Sequence, residues 1–281
     1  MFSILIPTFN NLNYLKLLTK SIKENSTYNH QVIFHVSDGS DGTHNFVKEN
    51  NYKYTFSENN IGLCSAIKKI SKLIQNEYIL YAHDDMYFCK NWDQYLKEAI
   101  EKENNNLFYF SGTNISHKDG ILNLDCGDTP ENFNQIKFDK FCNKDKSPDL
   151  QGSHWAPHLV HVDLWNKVEG FSLEFDPGDG SDPDLCMKLW NHGVRTFKCL
   201  SKFKVYHFGS ATTRKRNIIK NNGTKIFLLK YGFNPRFFRK YYLKGDDKIE
   251  FTGPLKTPKM NLNMFVSLFI NKLKYFYYKI F

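Results

Sequence analysis

The 281-residue chain is 41% hydrophobic and 16% aromatic, which excludes a disordered or low-complexity protein and suffices to bury a full core. Its net charge of +9 is uneven: residues 211–281 hold 16 Lys and Arg against three acids, whereas the first 210 residues carry 22 basic and 26 acidic side chains. A mildly acidic body with a basic, aromatic tail suits a tail that meets an anionic surface, and six scattered cysteines with no CxxC pair argue against a zinc module and for reduced thiols in a cytosolic protein.

Phe2, Ile4, Leu5 and Ile6 predict a first strand, stopped by Pro7-Thr8 and followed by the turn residues Asn10-Asn11. No charged region or small-residue cleavage site precedes it, so no secretory signal is expected. Leu12, Leu15, Leu18 and Ile22 recur at helical spacing. A second strand over residues 31–36 ends in Ser37-Asp38-Gly39-Ser40-Asp41-Gly42-Thr43, before a helix carrying Phe46 and Val47. A third over residues 52–56 ends in Glu58-Asn59-Asn60-Ile61-Gly62, before a helix with Ile67, Ile70, Leu73 and Ile74. A β-branched and aromatic run from residue 78 then reads as a buried strand that ends abruptly in His83-Asp84-Asp85, which places these three polar residues at its C-terminal tip. Strand–helix alternation of this kind predicts an α/β protein whose parallel sheet has helices on both faces and binds ligands at the strand C-terminal ends. Two adjacent carboxylates at such a tip repel each other unless a cation lies between them, and a divalent metal is the usual answer.

Residues 92–100 read as an amphipathic helix, residues 107–110 as a strand and residues 115–130 as turn-rich. Gln151-Gly152-Ser153-His154-Trp155-Ala156-Pro157-His158 precedes a strand over residues 159–162. Asp179-Gly180-Ser181-Asp182-Pro183-Asp184-Leu185 opens a helix that Ser181 or Asp182 is placed to cap, with Pro183 in its first turn. Residues 194–199 and 203–206 read as two extended segments reaching His207, and Arg214, Lys215 and Arg216 follow. Residues 261–281 are interrupted by Lys272, Lys274 and Lys279, so they make a poor transmembrane span. They read as an interfacial helix on an anionic membrane, the competing reading being a helix packed on the body or on another subunit.

The series Ile4-Leu5-Ile6-Pro7-Thr8-Phe9-Asn10, Ser37-Asp38-Gly39-Ser40, Asn60-Ile61-Gly62 and His83-Asp84-Asp85, with Ser181-Asp182-Pro183-Asp184-Leu185 and His207 behind it, resembles family 2 glycosyltransferases of the GT-A fold over roughly residues 2–210. The resemblance implies a Rossmann-like, mostly parallel central sheet flanked by helices. Residues 1–110 then form a nucleotide-sugar half, residues 111–210 an acceptor half, and residues 211–281 a basic, aromatic, largely helical extension. It implies that Pro7 and Thr8 line the base, with Asn10 in the same loop, and that Asp38 accepts from the base or ribose. Asn60, Gly62 and Asp84 approach the ribose or donor sugar, and Arg214 clamps the diphosphate. Asp85 and His207 hold the metal, Mn²⁺ favoured and Mg²⁺ second, while His83 stands where the family has the first Asp of its DxD element and is as open to being a ligand as not. Asp182 is the implied general base with Asp179 as its rival, and His154, Trp155 and Asp184 serve the acceptor, with His158 a further pocket candidate. Ile67 and Ser181 depart from the family pattern, which has Arg and Glu there. The implied activity is inverting, metal-dependent transfer of a hexosyl group from a nucleotide sugar, UDP-linked by preference, to a glycan or glycolipid hydroxyl. The protein is then expected to be cytoplasmic and peripheral on the inner membrane face. A catalytically inactive nucleotide-sugar or glycan-binding module is the alternative, and nucleic-acid binding is disfavoured because it leaves the strand-tip acids unused.

Overall fold

The computed structural model describes residues 1–209, 221–245 and 248–280. Its first part alternates as expected: β1 (Phe2–Phe9), α1 (Leu12–Asn25), β2 (Gln31–Ser37), α2 (Thr43–Glu49), β3 (Lys53–Ser57), α3 (Leu63–Ile70) and β4 (Tyr78–Tyr81). There follow β5 (Met86–Phe88), α4 (Trp92–Ile100), β6 (Phe108–Ser116), β7 (Leu122–Asn123), α5 (Gln135–Lys144), β8 (Leu150–Gln151), β9 (His158–His161), α6 (Val162–Lys167), α7 (Ser181–Asn191) and β10 (Thr196–His207). The tail contributes α8 (Gly223–Tyr231), a short turn Pro235–Phe237 that widens into π-helical Phe238–Leu243, and α9 (Leu262–Ile280).

The strands form one sheet in the order β3-β2-β1-β4-β9-β6-β10-β5, with β7 on β6 and β8 on β10. β3, β2, β1 and β4 are mutually parallel, which is why Ile4, Leu5 and Ile6 form an unbroken apolar run buried on both faces. Leu15, Leu18 and Ile22 turn the apolar stripe of α1 into the same core.

One expectation about strands holds and one needs correction. The run before His83-Asp84-Asp85 is β4, which pairs with β1 and ends at Tyr81, so the triplet lies at its C-terminal tip; β5, beyond the triplet, leaves that neighbour and pairs antiparallel with the end of β10. The extended segments at 194–199 and 203–206 are one strand, bent at a register shift between Leu200 and Lys204. That shift lets β10 follow β6 along one side while meeting β8 and then β5 along the other.

The tail is stitched to the body through residues 221–255. Gln151 N–H donates to Ile249 O (2.8 Å), Leu255 N–H donates to Arg195 O (2.8 Å), and Trp190 packs on Tyr242 with ring centres 5.3 Å apart.

A buried acid joins α4 to the α1–β2 connection. Asp93 is fully buried and accepts from Thr27 N–H, Tyr28 N–H (2.7 Å) and His30 Nε2 (3.0 Å). Burial alone raises its pKa, but these bonds outweigh that and hold it below the ordinary value. Its stabilisation is therefore present above pH 3.8 and lost as pH falls through the lower folded value. Asp93→Asn is expected to cost about 2 kcal/mol in urea unfolding at pH 7, with the gap from the parent narrowing below about pH 4.

Candidate active site

The site is built by strand direction. β1, β2 and β4 end on one edge, and β9 runs against β4 so that its first residue, His158, pairs with Tyr81, the last residue of β4. Residues 152–157, which lead into β9, therefore lie beyond the same edge as His83-Asp84-Asp85. β10 arrives there too: His207 pairs with Met86, and Phe208 N–H donates to Asp85 O at 3.1 Å.

Three side chains converge as a result. Asp85 Oδ1 lies 3.1 Å from His207 Nε2, and His83 Nδ1 lies 3.4 Å from the same nitrogen. One donor atom from each residue falls within 4.8 Å of the other two. Burial first, and the neighbouring His207 second, push the His83 pKa down to about 4, which keeps the imidazole in the neutral form that binds metals. Two imidazoles and a carboxylate fit a divalent cation, and nitrogen donors favour Mn²⁺ over Mg²⁺. His83, which the sequence leaves open, thus brings one donor atom within 4.8 Å of those of Asp85 and His207.

Asp84 sits beside this cluster and is 7% exposed. Its Oδ2 has no hydrogen-bond partner among the described residues, although Thr8 and Asn11 face the carboxyl. Burial and then the adjacent Asp85 charge hold Asp84 above the usual carboxylate range, and Thr8 and Asn11 offset only part of this. At the neighbouring tips, Asn10 Nδ2 donates to Asp38 Oδ2 (2.7 Å) and to Ser40 Oγ (3.2 Å). Asn10 and Asp38 both take positive φ, 47° and 63°, so the two loops turn sharply towards each other just beyond Pro7 and Thr8.

Asn60 accepts from Gly62 N–H (3.0 Å), an Asx turn that opens α3. The close approach at Gly62 is to Asp176: a Cβ there would collide with the Asp176 carboxyl, and φ is +86°. Asp176 in turn accepts from Cys64 N–H (2.8 Å) and Ser65 Oγ (2.5 Å), holding the start of α3. Ile67 is buried in α3, so the family's arginine has no replacement at that position.

Asp182 lies in the first turn of α7, yet neither it nor Ser181 caps the helix. The cap position is Gly180, at φ +87° with no side-chain bond, and Ser181 Oγ donates back to Gly178 O (2.7 Å). Asp182 Oδ1 is buried with no hydrogen-bond partner among the described residues. Burial pushes its pKa up to about 7. Burial, then the charges of Asp182, Cys64, Asp84 and Asp85, push the Tyr81 hydroxyl well up, so Asp182 stands near the tip of β4. Its rival Asp179 is occupied differently, accepting from Gly223 N–H (3.2 Å) and anchoring the return of the tail.

Asp184 requires a correction. It has no exposure and its carboxylate accepts from Ser172 Oγ (2.7 Å), Tyr231 OH (2.7 Å) and Lys230 Nζ (2.8 Å), with Lys188 at 3.7 Å. A carboxylate so engaged braces α8 on α7 and has no oxygen to offer an acceptor. His154 and Trp155 are half-buried above the edge and meet edge-to-face with ring centres 5.0 Å apart, with Trp155 Nε1 donating to Gly112 O (3.1 Å). Arg214 lies outside the described residues, as do Lys215 and Arg216. His158 is wholly buried between Tyr81 and Tyr109, 5.0 and 4.8 Å from their rings, and both its ring nitrogens are unpartnered among the described residues. Asn11, Asp176 and Tyr231 were not legible as site residues, because each acts through a contact remote in sequence.

Residues 3–156, more than half of the chain, match the family described as glycosyl transferase family 2. The chain belongs to glycosyl transferase family 2. No curated protein sequence matches it. Among solved structures this family 2 chain is similar to S. aureus TarS residues 1–349, at 16% identity and a TM-score of 0.54, over 73% of this chain and 60% of that one. The TarS 1–349 complex with UDP-GlcNAc gives 17% identity, a TM-score of 0.52 and coverage of 75% and 61%. GalNAc-T7 with UDP, GalNAc and Mn²⁺ gives 13% identity, a TM-score of 0.56 and coverage of 79% and 44%. The chain thus spans about 60% of the length of the TarS fragment, and what these likenesses establish is the GT-A fold.

The Asp182 pKa has a sign that stability measurements can check. A carboxyl raised from 3.8 to about 7 binds its proton more tightly in the folded state, so folding loses stability as pH rises from about 4 to 7. Asp182→Asn removes that cost. It is expected to match the parent near pH 4 and to exceed it by about 2–4 kcal/mol at pH 8, read from urea unfolding across pH.

Proposed function

We propose that the protein is an inverting, metal-dependent glycosyltransferase that moves a sugar from a nucleoside diphosphate sugar, UDP-linked by preference, to a hydroxyl of a glycan or glycolipid. The observation that carries this reading is Asp182: a carboxylate with a buried oxygen that has no partner among the described residues, pushed up to about 7 by burial, and close enough to Tyr81 at the end of β4 for its charge to act on that hydroxyl. A base needs that poise, since it must be ionised at working pH and still take a proton. The TarS complexes with UDP and UDP-GlcNAc, and the GalNAc-T7 complex with UDP, GalNAc and Mn²⁺, support the choice of donor class and metal.

Pro7, Thr8, Asn10 and Asp38 are assigned to the base and ribose. Asn10 and Ser40 already donate to Asp38, so its carboxylate is held ready to accept from a ligand N–H or hydroxyl. Asp84 faces the ribose or sugar, and Asn60 with Gly62 shapes the neighbouring wall. Asp85, His207 and His83 hold the cation, which when bound neutralises charge on the leaving diphosphate. Asp182 takes the acceptor hydroxyl proton as the oxygen bonds to the anomeric carbon and the bond from that carbon to the diphosphate breaks, with inversion. His154 and Trp155 offer ring faces to the acceptor from the loop before β9.

Turnover of UDP-sugars with Mn²⁺, followed by UDP release, tests the reading. Asp182→Ala is expected to lose about 10²–10⁴-fold in kcat with little change in nucleotide affinity. Asp85→Ala is expected to lose both turnover and Mn²⁺ dependence. Full activity in both variants overturns the assignment, and tight nucleotide-sugar binding without turnover by the parent favours the inactive binding module instead.

A further inference from the structure

The tail helix α9 is two-faced, and its outer face carries an exposed apolar stripe. Met264 and Asn271 are buried against the body, with Leu268 packed on the core beside them. Asn271 fixes the docking, accepting from Asn234 N–H at 2.9 Å. The opposite face exposes Phe265, Phe269, Ile270, Leu273, Phe276 and Tyr277; Phe269 is 54% and Phe276 58% exposed. At 100° per residue the exposed apolar positions fall within an arc of about 140°, centred opposite Asn271. Lys272 and Lys279 line one border of that arc and Lys274 the other. Among the described residues no helix is long and apolar enough to cross a membrane.

Beside the stripe, a groove of about 480 Å³ runs between α9 and residues 234–241. Exposed Arg236 and Lys240 stand on one wall and Val266 and Ile270, from the edge of the stripe, on the other. A charged headgroup beside acyl chains matches that pairing of basic and apolar walls.

We infer that α9 lies flat on an anionic lipid bilayer, its apolar stripe in the acyl boundary and Lys272, Lys274, Lys279, Arg236 and Lys240 on lipid phosphates. Charge decides between a membrane and a second copy of the chain. Residues 251–281 contain no acid, so a self-contact through the stripe sets lysines against lysines with nothing to pair them. An anionic surface matches every basic residue along both borders. The inference is independent of the sugar-transfer reading, because none of these residues is assigned to that site.

Flotation of the full chain with phosphatidylglycerol-containing vesicles, against pure phosphatidylcholine vesicles, tests it. The parent is expected to float with anionic vesicles, to bind neutral ones at least about tenfold less, and to be released by high salt. Phe269→Glu/Phe276→Glu changes only exposed side chains; it is expected to melt like the parent and to lose partitioning at least about tenfold. Failure of the parent to float on anionic vesicles, equal binding to neutral ones, or undiminished flotation of the variant overturns the proposal. A dimer seen by light scattering that the same variant dissociates, with vesicles ignored, also overturns it by assigning the face to a second copy.

Discussion

The backbone hydrogen bond from Phe208 N–H to the Asp85 carbonyl, 3.1 Å long, is the contact on which the site depends. It continues the antiparallel pairing of β10 with β5 and carries His207 to Asp85 across more than a hundred residues. β10 stays parallel to β6 on both sides of the register shift between Leu200 and Lys204, and beyond that shift it takes β5 on its other edge. The clustering of His83, Asp85 and His207 is therefore a product of strand pairing as much as of the side chains themselves. Insertion of β9 against β4 delivers residues 152–157 to the same edge.

Five aspartates show how one residue type divides between structure and chemistry. Asp93, Asp176 and Asp184 are tied by backbone N–H, hydroxyl or ammonium donors, which is how a folded protein normally satisfies a buried carboxylate. Asp84 and Asp182 each keep a buried oxygen without a partner among the described residues, and both are raised in pKa by burial. Leaving such groups unsatisfied costs stability, and sites that bind or transfer charge are where that cost is retained. The contrast is sharpest within α7, where Asp182 and Asp184 stand two residues apart and face opposite fates.

Much of the fold was legible because the first half is periodic. Strand–helix alternation up to β4 and the span Trp92–Ile100 follow directly from apolar spacing. The family resemblance rested on residues at strand ends, and the match over residues 3–156 covers most of those positions. Less was legible where pairing is non-local. Whether two extended segments join into β10, and that residues 86–88 pair with its end, is decided by neighbours far away in sequence. Asp184 was misread for the same reason: Lys230 and Tyr231, which occupy it, arrive from the tail. The mixture of apolar residues and lysines in α9 was readable as a pattern, but which side docks on the body was not, since that depends on Asn234 and the surface beside it.

The claim that the β4 and β10 tips form a nucleotide-linked metal centre is open to one direct measurement: titration of Mn²⁺ into the full chain, followed by electron paramagnetic resonance, with and without UDP. One Mn²⁺ per chain is expected to bind more tightly when UDP is present, and His207→Ala is expected to weaken it about 10–100-fold or more. Binding that ignores UDP, or that survives His207→Ala unchanged, would contradict the convergence of Asp85, His83 and His207 on a functional ion.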